Sequence, residues 1–158
     1  MKVTLITVCR NAASVISGSV ENVLSQTHGD IEYIVIDGAS TDGTQQVLER
    51  YRSRLAHYVS EPDKGIYDAM NKGLRAATGD IVGFVNAGDL LMTPDTIAHV
   101  VEAFQRSHAD AVYGDIIMVD EQDISKVHRT WLSGTYHRAN FRRGWMPPHV
   151  GTFIRNSV

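Results

Sequence analysis

The sequence predicts an α/β protein: a three-layer α/β/α sandwich around a mostly parallel central sheet. Short runs rich in Val and Ile, at residues 3–8, 33–36 and 81–85, have the composition of strands buried on both faces. Between them, apolar residues recur every three or four positions, as on the inward face of a helix. Strands alternating with helices of this length make βαβ units, which assemble into a parallel sheet. A third observation is that strand runs stop on small polar clusters, and in open α/β sheets the crevice at the C-terminal strand ends is where ligands sit.

The elements follow in order. Residues 3–8 form the first strand, and Cys9-Arg10-Asn11 the loop at its end. Val15, Ile16, Val20, Val23 and Leu24 then mark a helix, with Ser14 as its N-cap. A break at residues 26–30 leads to the second strand, which ends on Asp37-Gly38-Ala39-Ser40-Thr41-Asp42-Gly43-Thr44. Val47, Leu48, Tyr51 and Leu55 share one face of the next helix. Residues 57–60 are a short third strand that turns at Pro62 and Gly65. Ile66, Ala69, Met70, Gly73 and Leu74 carry a helical stripe, interrupted at Thr78-Gly79 before the strand at 81–85. Thr93-Pro94-Asp95 opens another helix, with Pro94 in its first turn and Ile97, Val100, Val101 and Phe104 inward. Residues 111–113 and 116–119 read as one bent or bulged strand around Gly114-Asp115. Residues 126–131 and 150–155 are further strands. Between them, residues 133–148 are aromatic and basic without a period, the pattern of a functional or disordered loop.

Composition narrows the function. A chain of 158 residues, 43% hydrophobic and 21% charged, is long enough for one domain with a core and too short for two ordinary ones. A net charge of -3 argues against a nucleic-acid partner held by general basicity, but leaves room for a local phosphate site. The single cysteine, Cys9, excludes an internal disulfide and fits a reducing, cytoplasmic compartment. No apolar run is long enough to span a membrane, and the N-terminus lacks the layout of a secretory signal.

Several residues carry two readings. Asp37, at a strand tip, suits hydrogen bonds to a base or ribose, and equally suits a turn aspartate holding its own backbone. Thr41 to Thr44 is most simply a helix cap. Asp68, Asn71 and Lys72 share one helical face, either solvated or turned towards the strand-end crevice. Asn86 and Asp89, beside Gly88, suit a hard divalent cation and the phosphates it carries, although Asp89 can also cap a loop. His149, behind the rigid Pro147-Pro148, is a ligand candidate or a packed residue. Arg138, Arg142 and Arg143 hold a phosphate or form a plain surface. Neither a dinucleotide fingerprint nor a Walker-type loop follows any strand, so nicotinamide and nucleotidyl-transfer readings lack their motifs.

Four stretches stand in order: Ile6-Thr7-Val8-Cys9-Arg10-Asn11; Val35-Ile36-Asp37-Gly38-Ala39-Ser40-Thr41-Asp42-Gly43-Thr44; Ser60-Glu61-Pro62-Asp63-Lys64-Gly65-Ile66-Tyr67-Asp68-Ala69-Met70-Asn71-Lys72-Gly73; and Phe84-Val85-Asn86-Ala87-Gly88-Asp89. With Tyr113-Gly114-Asp115 and Pro148-His149 after them, the chain resembles family 2 glycosyltransferases of the Rossmann-like GT-A fold. The bacterial enzymes of capsule, colanic-acid and O-antigen polysaccharide assembly are the nearest in pattern. The resemblance implies one nucleotide-sugar-binding domain over residues 1–158 and inverting sugar transfer to a saccharide or lipid-linked acceptor, assisted by Mg²⁺ or Mn²⁺. It implies peripheral contact with the cytoplasmic face of the inner membrane. By similarity, Thr7, Cys9, Asn11, Asp37, Asp68, Asn71 and Asn86 line the donor site, Asp89 holds the metal, and His149, Tyr113 and Asp115 stand on the acceptor side.

Two departures from the family pattern stand out. Asn86 and Gly88 replace carboxylates of an acidic cluster, which weakens the expected metal binding. The family's general base is an acidic residue beyond the Pro-His segment, and no residue here matches it. The resemblance therefore implies a shortened chain, and as an alternative function a nucleotide-sugar binding module without turnover.

Overall fold

The computed structural model describes residues 1–158. In order it runs β1 (Val3–Cys9), α1 (Ile16–Leu24), β2 (Ile31–Asp37), α2 (Thr44–Glu49), β3 (His57–Ser60), α3 (Ile66–Ala76), β4 (Ile81–Phe84), α4 (Thr96–Ser107), β5 (Ala111–Tyr113), β6 (Ile116–Val119), β7 (Val127–Trp131) and β8 (Thr152–Arg155). Six strands form one sheet in the order β3-β2-β1-β4-β8-β5. Its first four strands are parallel, and β8 runs antiparallel between β4 and β5.

Alternation along the strands sorts the core into two halves. Val3, Leu5, Tyr33, Val35 and Ile81 pack against Ile16, Val20 and Val23 of α1, Leu48 of α2, and Ile97, Val101 and Phe104 of α4. Ile6, Val8, Ile34, Ile36 and Val82 face the other way, towards Ala69 of α3. The result is the expected three-layer sandwich, with α3 alone on one side. Helix α3 comes close because its inward residues are small: a Cβ at Gly73 would overlap Ile6 Cγ2. Its larger apolar residues, Ile66 and Leu74, are exposed, so the buried face is Ala69 and Gly73 rather than the predicted stripe.

Other boundaries also differ from the expectation. Ser14 caps nothing: α1 begins after Val15 without a side-chain cap, and Ala12 O accepts the Val15 and Ile16 amides. Helix α2 ends at Glu49, and Tyr51 and Leu55 pack from a 3-10 turn at Arg52–Arg54 instead. Helix α4 starts at Thr96, two residues past Pro94. The bent strand predicted around Gly114-Asp115 is two strands of different sheets, with β6 leaving to form a two-stranded antiparallel ribbon with β7. Gly114 marks the exit, where its amide donates to Gly151 O. No helix is long and apolar enough to cross a membrane.

At the edge opposite the C-terminal strand ends, Glu32 is nine-tenths buried and joins three elements. Lys2 Nζ and Thr4 Oγ1 each donate to its carboxylate at 2.6 Å, and the Thr78 amide donates at 2.7 Å. Burial raises this carboxyl, but those donors outweigh it and hold the pKa down to about 2.

Candidate active site at the C-terminal strand ends

Register brings the strand tips together. Cys9, Asp37 and Ser60 are level across β1, β2 and β3. The Val85 amide donates to Ile6 O and the Ala87 amide to Val8 O, carrying the end of β4 to the same height. Because β8 is antiparallel to β4, the 3-10 turn His149–Gly151 that precedes it starts at this edge too.

The β1 and β2 loops are bound to each other. Asn11 N donates to Ser40 Oγ at 2.7 Å, Ala12 N to Thr44 Oγ1 at 2.8 Å, and Ala13 N to Asp42 Oδ2 at 3.0 Å. Asn11 Oδ1 in turn accepts the Thr41 amide at 2.9 Å. Asp42, rather than an N-cap residue, restrains the start of α2 by accepting the Thr44 amide and hydroxyl. Asp37 is wholly buried, and its carboxylate accepts from the Ser40 amide and hydroxyl, the Ser60 hydroxyl and the Cys9 thiol. It holds its own loop, as the turn reading anticipates.

Two expected donor contacts are corrected. Thr7 is completely buried; its hydroxyl donates to Val85 O at 2.6 Å and lies 2.9 Å from Tyr33 Oη, so it braces the core instead of facing a ligand. Cys9 is buried behind Asp37, and burial followed by the charge of Asp37 pushes its thiol far up, which leaves it inert.

Ala39 carries a positive φ of 55° at the β2 tip. Left-handed backbone costs a side-chain-bearing residue about 1 to 2 kcal/mol, partly offset in any comparison with glycine by the freedom glycine loses on folding. Ala39→Gly is therefore expected to stabilise the fold by about 0.5 kcal/mol, read from urea midpoints.

The start of α3 is tied to the β3 loop. Lys72 Nζ lies 2.8 Å from Glu61 and 3.8 Å from Asp68, and donates to Pro62 O at 2.9 Å. Asp68 accepts the Lys64 amide at 3.1 Å, while Asn71 is exposed. This polar face is thus a clasp rather than a solvated row. Sequence reasoning did not single out Asp63 and Arg10, which the structure places beside the tip of β2. The side chains of both lie against Gly38, where a Cβ would overlap Asp63 Oδ2. The strand-end rule applied to Asp37 and Asp89 would have found Asp63 at the end of β3 as well.

Beyond β4, Asn86, Asp89 and His149 gather. Asp89 is half-buried; burial raises its carboxyl, opposed by the Asn86 amides and the charge of His149. His149 Nε2 lies 3.5 Å from Asn86 Nδ2. Asn86 Oδ1 is buried with no hydrogen-bond partner. A buried amide oxygen left unpaired costs about 1 to 3 kcal/mol, so it marks a place for a cation or donor. With the Asp89 carboxylate and the His149 imidazole gathered around the same residue, the donor set suits Mg²⁺ or Mn²⁺ shared with phosphate oxygens, which needs few protein ligands. No three His, Cys, Asp or Glu side chains cluster for a cation held by protein alone.

The remaining acceptor-side candidates play another part. Tyr113 Oη donates to Gly134 O at 3.0 Å, and Asp115 Oδ1 accepts the Ser133 amide at 2.7 Å. Both brace the segment that follows β7. Of the three candidates, only His149 joins Asn86 and Asp89.

Comparison with known proteins agrees with this fold. A mannosyltransferase from Pyrobaculum calidifontis, solved with GDP-Man and Mn²⁺, is 31% identical with a TM-score of 0.66, over 78% of this chain and 37% of that one. TarS of Staphylococcus aureus, solved with UDP-GlcNAc, superposes over 99% of this chain and 46% of its own at a TM-score of 0.75; at 19% identity it shows the fold alone, which is that of GT-A glycosyltransferases. A PGL/p-HBAD biosynthesis glycosyltransferase of Mycobacterium bovis is 39% identical over 113 residues, 68% of this chain and 44% of the relative. The chain thus spans less than half the length of each of these proteins. The profile described as glycosyl transferase family 2 matches residues 4–155, and the chain belongs to that family.

Proposed function

We propose that this chain carries the donor site of an inverting glycosyltransferase, which moves a sugar from a nucleoside-diphosphate sugar to a hydroxyl of a saccharide or lipid-linked acceptor in surface-polysaccharide assembly. The observation that carries the reading is the gathering of Asn86, whose Oδ1 is unpartnered, with Asp89 and His149 at the sheet edge where α/β folds bind nucleotides. Asp89, with Asn86 and His149 beside it, would hold Mg²⁺ or Mn²⁺. The ion, when bound, neutralises the diphosphate so that it departs without a proton. Support for a divalent ion also comes from the mannosyltransferase solved with Mn²⁺.

The chain's own residues then bind and orient. Asp63 and Arg10, against Gly38, flank the side of the crevice suited to base and ribose, and Asp37 keeps the β2 loop in the shape that admits them. Asp68 and Asn71 line the sugar-facing wall. Calorimetric titration with UDP and with GDP, each with and without Mn²⁺, tests the donor site: one nucleotide should bind at least tenfold more tightly with the metal. Failure of both nucleotides to bind would overturn the reading. Turnover of the matching nucleotide sugar is expected as well, and binding without it would leave only a donor-binding module.

A further inference from the structure

We propose that Asp63 reads the base of the nucleotide donor: its Oδ2 accepts the ring N–H of uracil or guanine, so the site takes uridine or guanosine diphosphates and turns away their cytidine and adenosine counterparts. This rests on the proposed donor site, and it assigns the base specificity of that site to the loop between β3 and α3.

On the β3-β2-β1 side of the crevice, most polar groups at the strand tips are already spent. Thr7 and Cys9 of β1 and Asp37 of β2 are buried, with their side-chain hydrogen bonds made inside the fold. Ser60, at the tip of β3, donates to Asp37. The strand-end carboxylate left with a free oxygen is Asp63. Its Oδ1 accepts the Gly65 amide at 2.9 Å and closes a turn, while Oδ2 receives no hydrogen bond from the protein. Asp63 takes part in no ion pair.

Gly38 decides where that oxygen stands. A Cβ at position 38 would overlap Oδ2, so a carboxylate from the β3 loop lies over the tip of β2, in the space that a side chain on Gly38 would fill. The loop is fixed there: the Glu61 amide donates to Asp37 O at 3.0 Å, and Lys72 Nζ, 2.8 Å from Glu61, donates to Pro62 O. Arg10 reaches the same place from the β1 loop, with its Cδ 3.5 Å from the position of that Cβ. It is exposed and has no ion-pair partner.

An acceptor-only group and a donor-only group therefore flank one bare glycine. Uracil and guanine carry a ring N–H next to a carbonyl oxygen, the complement of that pair. Cytosine and adenine have an unprotonated ring nitrogen at the same place, and its lone pair would face the carboxylate. Distance along the sheet agrees. The tips of β2 and β4 are two strand spacings apart, about 10 Å, comparable with the reach from the base of a nucleotide to its diphosphate, and Asn86 and Asp89 follow β4.

Calorimetric titration of the protein with UDP, CDP, GDP and ADP, each with Mn²⁺, tests the assignment through ratios of affinity. A merely structural role for Asp63 would move all four nucleotides together. The parent should hold UDP over CDP, or GDP over ADP, by roughly 30-fold or more. Asp63→Asn keeps an oxygen for the Gly65 amide and sets an amide NH₂ in place of Oδ2, so that ratio should fall to about one or invert. Gly38→Ala needs no unusual backbone and displaces only the end of a flexible side chain, so the fold should accept it. It should cut the same ratio at least about fivefold with Asp63 intact. A parent without that discrimination, or a ratio that neither substitution moves, would overturn the proposal and leave the donor site standing. Should none of the four nucleotides bind, the proposed function falls and this inference with it.

Discussion

Asp89→Asn is expected to abolish the Mn²⁺-dependent part of nucleoside-diphosphate binding, weakening it about 100-fold in the presence of metal while leaving the metal-free affinity in place. The side chain keeps its shape but loses the charge that makes a hard-cation ligand. A second readout separates this role from a structural one. Burial raises the Asp89 carboxyl, so the folded protein holds that group's charge unfavourably at neutral pH, and the neutral amide removes the cost. The variant should therefore unfold at or above the parent's midpoint at pH 7 while failing to bind metal. Loss of both stability and binding would mean that Asp89 is a loop residue, and unchanged metal dependence would move the cation elsewhere.

Glu32→Ala is expected to destabilise the sheet by about 3 kcal/mol or roughly 8 °C in melting temperature. It strands the Thr78 amide and the Thr4 hydroxyl, and leaves Lys2 without its partner. The same residue sets an acid limit. Its folded pKa of about 2 lies below the ordinary carboxylate value, so its contribution is complete above about pH 4.5 and disappears as pH falls through 2. Allowing for the partial exposure of Lys2, that contribution is about 2 to 3 kcal/mol. Chemical denaturation between pH 6 and pH 2 measures it: the parent should lose stability over that window more steeply than Glu32→Ala. Equal slopes would sink the assignment. Because Glu32 stands at the opposite edge of the sheet from Asn86 and Asp89, nucleotide affinity of the folded variant should not change.

The two residues mark the limits of sequence reasoning. Periodicity located β1, β2, β3, β4 and α3, because burying both faces of a parallel strand demands consecutive apolar residues. It mislocated Pro94 and Ser14, since either type is as good in a turn as in a cap. It joined β5 to β6 because two short apolar runs around Gly-Asp look alike whether the chain bends within a sheet or leaves it. Glu32 gave no signal at all: in sequence it is one charge in an apolar strand, and its donors come from positions 2, 4 and 78.

The sequence by itself determined that this chain is a layered α/β protein whose strands end on polar loops, and the motif order by itself indicated the family. Those properties are local, because each follows from the spacing of side chains along a few turns or one strand. Only the tertiary structure decided which polar side chains remain free for a ligand. Thr7, Cys9 and Asp37 all stand at strand ends in the sequence, yet Tyr33, Val85 and Ser60 from other segments, together with Ser40 from Asp37's own loop, consume their hydrogen-bonding capacity. Asn86 Oδ1 stays unpaired, and His149 reaches the Asn86 amide nitrogen only because β8 returns antiparallel beside β4. Hydrogen-bond satisfaction is a balance struck across the whole fold, and no spacing rule along the chain contains it.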